Sequence, residues 1–479
     1  MGLLLALALQ AAFSSAELLG NWSGEAVHAG ASTPYALEIT SGSDGKLAIA
    51  IDLPAIHVLH QPLGEFAPNF DGDDVELEWL GKLRHNPRAR TLSGVVPETF
   101  APVYELAFTL RRVDAMEFPE RKELGAPLAK PLWTFETGSA AWPGPTCAGE
   151  RVLVGSDDGV LRALDAESGA KLWQLATGGR LRSRATLVDD SALIHSDDGL
   201  VYRVDLASGA ELWRARVERA PIVRLPFDDP KSRYDRFGSE VTSYGGKLYV
   251  GAHDGRVVAL DPNDGRELWS FDGAQGVLAA PAVDGERVVF GGWDGCVRAL
   301  DAKSGKELWK FDTQEPVVST PALVGDRAIV GSRSYDLFGL DIATGAVAWQ
   351  RYLWFSWIES SPSVRDGDVY VGSSDAAVLA AYEARTGNAR WITDVHGWAW
   401  GQPAVGAQRV YVGTSGQGGY LAPHHGGLVA VERSTGRPIW RFASASSSDG
   451  AHGFPGSPAL CGGRVFASSL DGSVFAFAE

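Results

Sequence analysis

Several things are scarce in this chain, and each scarcity excludes a class of function. Cysteine occurs 3 times in 479 residues, as Cys147, Cys296 and Cys461. None sits in a CxxC pair, so a disulfide framework, a structural zinc site and a thioredoxin-like centre lack sequence support. Basic residues are outnumbered, 43 Lys and Arg against 59 Asp and Glu, and the formal net charge of -16 argues against a nucleic-acid partner. Catalytic signatures are missing as well: there is no GxSxG elbow, no HExxH and no P-loop. The glycine-rich GTSGQGG at 413–419 lacks the lysine and following helix of a phosphate cradle. No catalytic residue and no metal site is assigned on these grounds.

The apolar start, MGLLLALALQAAFSSA at 1–16, reads as an export signal with a small-residue cleavage site at Ser14-Ser15-Ala16. No Lys or Arg precedes its apolar core. The run is too short for a transmembrane helix, so no stable membrane insertion is expected. It contains no cysteine to carry a lipid. A periplasmic or extracellular location follows.

What is abundant is glycine, 57 residues, and tryptophan, 16 residues, a balance that suits an all-β repeat protein with many tight turns. Residues 20–118 open on Gly20-Asn21-Trp22-Ser23-Gly24 and continue in alternating segments, including ALEIT at 36–40 and KLAIAIDLP at 46–54. Ser43-Asp44-Gly45 between those two is a hairpin signal. Six or so antiparallel strands are expected, curled as a half-barrel or small sandwich with one solvated face. His57 and His60 read as loop residues. Residues 119–129, with Pro119 and Pro127 among charges, read as a linker.

Residues 130–479 are a repeat array. GGWDGCVRALDAKSGKELW, ending on Trp309, has near-copies ending on Trp173, Trp213, Trp269, Trp349, Trp391 and Trp440. The copy that begins at Val465 stops before its own tryptophan, and the missing piece, PLWTFETG with Trp133, stands at the front of the array. A base period of 40 residues holding four short strands is one propeller blade. The fold expected is therefore all-β: an eight-bladed β-propeller of four-stranded blades, closed by pairing of the N- and C-terminal strands, behind a small antiparallel β-domain. Seven blades are the alternative if one copy is degenerate. Trp133, Trp173, Trp213, Trp269, Trp309, Trp349, Trp391 and Trp440 are assigned to packing between blades. Asp301 and Gly305 are turn residues.

The ALDxxTGxxxW motif, carried by Ala299, Leu300, Asp301, Gly305 and Trp309, resembles the quinoprotein-type, pyrroloquinoline-quinone-like propeller repeat. The resemblance covers residues 130–479. It implies the propeller fold and leaves activity open, because the same repeat builds quinone-dependent dehydrogenases, outer-membrane assembly scaffolds and exported proteins without known chemistry. Dehydrogenases of this kind use a calcium held by acidic and amide side chains, and many have adjacent cysteines over the quinone. Here there are no adjacent cysteines and no CxxCH. Asp394, Glu359, Glu240 and Asp449 are suitably placed acids, but nothing pairs them into a calcium set. The front region, with its GxWxG start, loosely resembles a small β-domain of exported bacterial proteins.

Deviation from the repeat concentrates on one rim. The link after Trp213, the segment GTSGQGGYLAPHHGG at 413–427 and the link before Pro458 are all enlarged. Trp142, Arg182, Trp354, Trp357, His396, Trp398, Trp400 and Phe454 are the candidate ligand-binding rim, with Arg180 and Arg184 as added anion contacts. In the insertion from Arg214 to Glu240, Tyr234, Arg236 and Phe237 are the contact-capable residues. His424, His425 and His452 read as loop histidines. The reading is of a monomeric exported binding or scaffold protein with a protein, carbohydrate or small-molecule partner. The alternatives are a quinone-dependent alcohol or sugar dehydrogenase using pyrroloquinoline quinone and calcium, and an outer-membrane assembly scaffold.

Overall fold

The computed structural model describes residues 14–28, 31–78, 80–96, 106–118, 121–224, 236–418, 420, 422–444 and 450–479. Most of the export-signal segment, Pro119, Tyr234 and Asp449 lie outside these residues. The chain forms two compact units, Met1–Arg121 and Lys122–Glu479.

The first unit is one nine-stranded antiparallel sheet, larger than the six or so strands expected from sequence. Its first strand, Gly20–His28, lies in the middle, paired on one side with Ala31–Ser41 and on the other with the last strand, Ala107–Val113. Alternation places Tyr35, Leu37, Ile39, Ile51, Phe108 and Leu110 on one buried face. Trp22 anchors the start, its Nε1 donating 2.7 Å to the Leu18 carbonyl. Gly24 is required by crowding, because a Cβ there would run into the Thr109 carbonyl oxygen. The Ser43-Asp44-Gly45 turn forms with φ of 50° at Asp44 and 78° at Gly45, the left-handed pair that a tight hairpin needs.

The second unit is an eight-bladed propeller arrangement. Blade 4 shows the plan: Ala282–Val283, Arg287–Gly291, Cys296–Asp301 and Glu307–Asp312, in antiparallel order from the centre outward. The eighth blade combines Ala459–Cys461, Arg464–Ser468 and Ser473–Ala478 with Trp133–Glu136 from the front of the array.

The expected closure by terminal strand pairing is corrected. Trp133–Glu136 completes its blade, but no sheet closes on itself: each blade runs open from an inner to an outer strand. Among the described residues no ladder joins one blade to the next. Neighbouring blades stack face to face through side chains, at a spacing that backbone hydrogen bonds do not span. The nine-stranded sheet is open too, ending at Val58–Phe66 and Asn69–Asp71. One outer edge is covered locally, where Ala129 N donates 2.7 Å to the Arg441 carbonyl and Arg441 N donates 3.0 Å to that of Pro127.

The blades are joined by recurrent side-chain contacts. Trp269 Nε1 donates 3.3 Å to the Ala302 carbonyl of the next blade, and Trp309 Nε1 donates 3.0 Å to Ile342. The same bond runs from Trp133, Trp173, Trp213, Trp349 and Trp391. Burial of each ring contributes about 2 to 3 kcal/mol by area. The indole also fixes the following turn: Gly305 has φ of +70° and a Cβ added there would lie 2.6 Å from the Trp269 ring. Asp301 holds that turn by accepting from Ser304 N at 2.8 Å and Ser304 Oγ at 2.6 Å.

A second correction concerns cysteine. Cys147, on the innermost strand of blade 1, is bonded to Cys461, on that of blade 8, with Cα atoms 6.3 Å apart. Their sequence separation of 314 hides the pair until the blades are arranged.

The rim and the central channel

Antiparallel order sorts the loops of every blade. Links between blades and the turn after the second strand lie on one face, the rim. The turn after the third strand, which holds Asp301 and Gly305 in blade 4, lies on the other. Each link delivers its residues to the mouth of the central channel before the next innermost strand begins.

At that mouth the aromatic residues stack on one another. His424 lies over Trp398 with centroids 4.9 Å apart, Trp398 over Trp400 at 4.9 Å, and the Arg236 guanidinium over Trp400 at 3.8 Å. This four-member ladder runs from the 413–427 segment to the Arg214–Glu240 insertion. A second ladder places Arg333 between Trp293 and Trp357, 4.6 Å from each ring, with its Nε 2.7 Å from Glu359 Oε1. A third contact sets Arg182 4.5 Å from the Trp142 ring. Arg182 also binds both oxygens of Asp157, at 2.5 and 2.6 Å, and donates 3.0 Å to the Arg236 carbonyl. Cation–π contacts gain strength when desolvated, as these are.

The candidate rim residues therefore occupy different environments. Trp142, Arg182, Trp398, Trp400 and His396 are buried, and Phe454 is buried against Phe442 and Phe475 in the core of the last blades. Trp354 and Trp357 are half-buried, Trp354 packing edge-on to Tyr352 at 4.8 Å. His396 takes a 2.8 Å bond from its own N–H to Asp394 Oδ1, and its ring faces that of His425. Arg180 is exposed, whereas Arg184 is half-buried and contacts Glu240. Glu359 and Glu240 thus each face an arginine. Tyr420, 39 % exposed, and Val223, 84 % exposed, project from the two insertions.

Other functional-looking residues went unmarked in the sequence. Asp375 accepts from Trp398 Nε1 at 3.0 Å and Tyr420 Oη at 2.9 Å, and burial raises its pKa to about 6. Glu218 is buried, 3.6 Å from His195 Nε2, and accepts from His253 N at 2.6 Å and Asp254 N at 3.2 Å. Burial raises its pKa to about 7. A signal for part of this set exists. Tyr335 and Ala377 stand in blades 5 and 6 where Gly295 stands in blade 4, and they keep positive φ of 69° and 52°. A non-glycine residue in that backbone region is strained, and strain of this sort clusters at special sites. Arg333 and Asp375 flank those two positions.

Beneath the ladders the channel holds a cavity of ≈ 60 Å³. Among the described residues no three His, Cys, Asp or Glu side chains converge as a metal-ligand set. The residues here do not fit a quinone. Trp398 and Trp400 stack directly on each other, with His424 and Arg236 on their outer faces, so no gap between their faces admits a planar ring.

The repeat, the blade count and the inter-blade tryptophans agree with one family model, described as outer membrane protein assembly factor BamB, which matches residues 122–222, 197–356 and 353–478. The chain belongs to that family. No curated protein matches it. Among solved structures it is similar to BamB from Moraxella catarrhalis, at 20% identity and TM-score 0.56, covering 74% of this chain and 98% of that one. It is similar to the computationally designed Ika8 protein at 18% identity and TM-score 0.58, covering 72% and 98%. It also resembles the quinohemoprotein alcohol dehydrogenase of Comamonas testosteroni at 14% identity and TM-score 0.54, covering 73% and 76%. At these identities the structures speak for the fold alone.

Proposed function

We propose that this protein is an exported scaffold that binds a partner protein on the loop-rich rim of its propeller. The observation that carries this reading is the ladder from His424 to Arg236. It fixes two insertions against each other, while Tyr420 and Val223 on them face solvent. A rigid surface with projecting aromatic and apolar tips suits protein recognition, because little side-chain entropy is lost on docking. A carbohydrate platform needs open aromatic faces, and Trp398 and Trp400 have none. The family description adds support from its members' role in assembly at an outer membrane. The Cys147–Cys461 bond suits a periplasmic or extracellular compartment, where disulfides persist.

The test is site-specific photo-crosslinking in the native host, with a photoreactive residue at Tyr420 or Trp354 and a control at Leu308 on an outer strand. A discrete protein adduct from the rim positions and none from Leu308 is expected. Equal yields from all three positions, or none from any, would contradict the proposal. Titration with pyrroloquinoline quinone in calcium should give neither a red-shifted bound spectrum nor dye-linked alcohol oxidation.

A further inference from the structure

The channel opens differently at its other mouth, on the side of the turns after the third strands. There the innermost strands surround a cavity of ≈ 610 Å³. Arg184, Glu240 and Gln402 line both this vestibule and the smaller cavity below the ladders, so they form the waist between the two. Among the described residues lining the vestibule, Arg184 and Glu240 are the only charged side chains.

The two charges touch each other sparingly. Arg184 Nη2 lies 3.3 Å from Glu240 Oε2 and 3.2 Å from Gln402 Oε1. Arg184 Nε and Nη1 and Glu240 Oε1 make no bond to the described residues. Four hydroxyls of the walls are committed elsewhere: Thr146, Thr186, Thr242 and Ser363 each donate 2.6 Å to a carbonyl of the next blade. Besides the pair, the wall offers Ala185, Val241, Ala404 and Leu460 as apolar contacts.

We infer that this waist is a binding site for a small zwitterion of the α-amino-acid type bearing an apolar side chain. Its carboxylate would be held by Arg184 Nε and Nη1, and its ammonium by Glu240 Oε1. Its side chain would lie against the apolar wall. Each half is a charge-assisted bond, stronger than one between neutral groups. A ligand carrying one charge alone leaves the opposite protein charge without a new partner, so selectivity for both charges is built in. This site is on the opposite mouth from the rim and does not rest on the rim's having a partner.

The experiment is calorimetric and ligand-observed NMR titration of the full chain with L-leucine, leucinamide and 4-methylpentanoate, followed by Arg184→Met and Glu240→Gln. Saturable one-to-one binding of L-leucine is expected, weakened about tenfold or more by loss of either ligand charge or either protein charge. The proposal is overturned by absence of saturable binding at millimolar L-leucine. It is equally overturned if either analogue binds as well as L-leucine, or if the folded variants bind like the parent chain. Should Arg184→Met fail to fold, the comparison of the three ligands on the parent chain and on Glu240→Gln decides.

Discussion

The two mouths of the central channel differ in kind. The rim gathers the longest links, the most enlarged turn after a second strand and most of the extra tryptophans, yet the faces of Trp398 and Trp400 are stacked shut. The opposite mouth is built from regular repeat elements, and it is the open one, at ≈ 610 Å³ against ≈ 60 Å³ under the rim. Irregular sequence marks where a scaffold has been elaborated. It does not by itself mark where space is left, because added loops bury their own apolar surface when they can.

The comparison can be broken first at the ladder. Trp400→Ala removes the ring between Trp398 and Arg236, and an apparent loss of about 3 to 5 kcal/mol is expected in chemical denaturation. A loss near zero would mean the stack is not formed in solution. Next comes the wall of the open mouth. Cys147→Ser is expected to lower stability by about 2 to 5 kcal/mol under non-reducing conditions, with reductant producing the same effect in the parent chain.

The buried acid beside the insertion gives a pH test. Glu218 has a folded pKa of about 7, raised above the ordinary glutamate value of 4.5 by burial. The folded state therefore binds more protons than the unfolded state between those values, and stability falls as pH rises through that window. The full contribution is on the order of 3 kcal/mol. His195, lowered by burial, acts with the opposite sign below its unfolded pKa, so the variant comparison is the informative one. Glu218→Gln should flatten the fall measured from pH 5 to pH 8 in urea titrations, and an unchanged slope would contradict the assignment. The smallest effect is expected at the waist. Arg184→Met should change stability by less than about 1 kcal/mol, since a partly exposed pair contributes little to folding. A loss as large as that of Trp400→Ala would make Arg184 a structural plug.

Much of the propeller was legible because its physics repeats. Trp309, Asp301 and Gly305 recur at fixed offsets, and each offset has one structural explanation. The first unit was read less well. Strands such as Val58–Phe66 and Asn69–Asp71 alternate weakly and are largely exposed, so no periodic signal announces them. The Cys147–Cys461 bond and the ladders were out of reach for a different reason. They join residues far apart in sequence, such as Arg236 and Trp400, whose meeting depends on how eight blades are arranged. Arg333 and Asp375 were closer to hand, beside the two positions where the repeat replaces glycine. The terminal strands pointed correctly to a shared blade, but sheet closure was the wrong inference, since blades join by side chains.

Hydroxyl-radical footprinting read residue by residue tests the contrast between a sealed rim and its projecting tips most directly. Trp398, Trp400 and Phe454 should be protected in the folded chain while Tyr420 is modified rapidly, and Trp400→Ala should expose Trp398. Modification of Trp398 and Trp400 at the rate of Tyr420 in the parent chain would show an open aromatic platform and contradict the account.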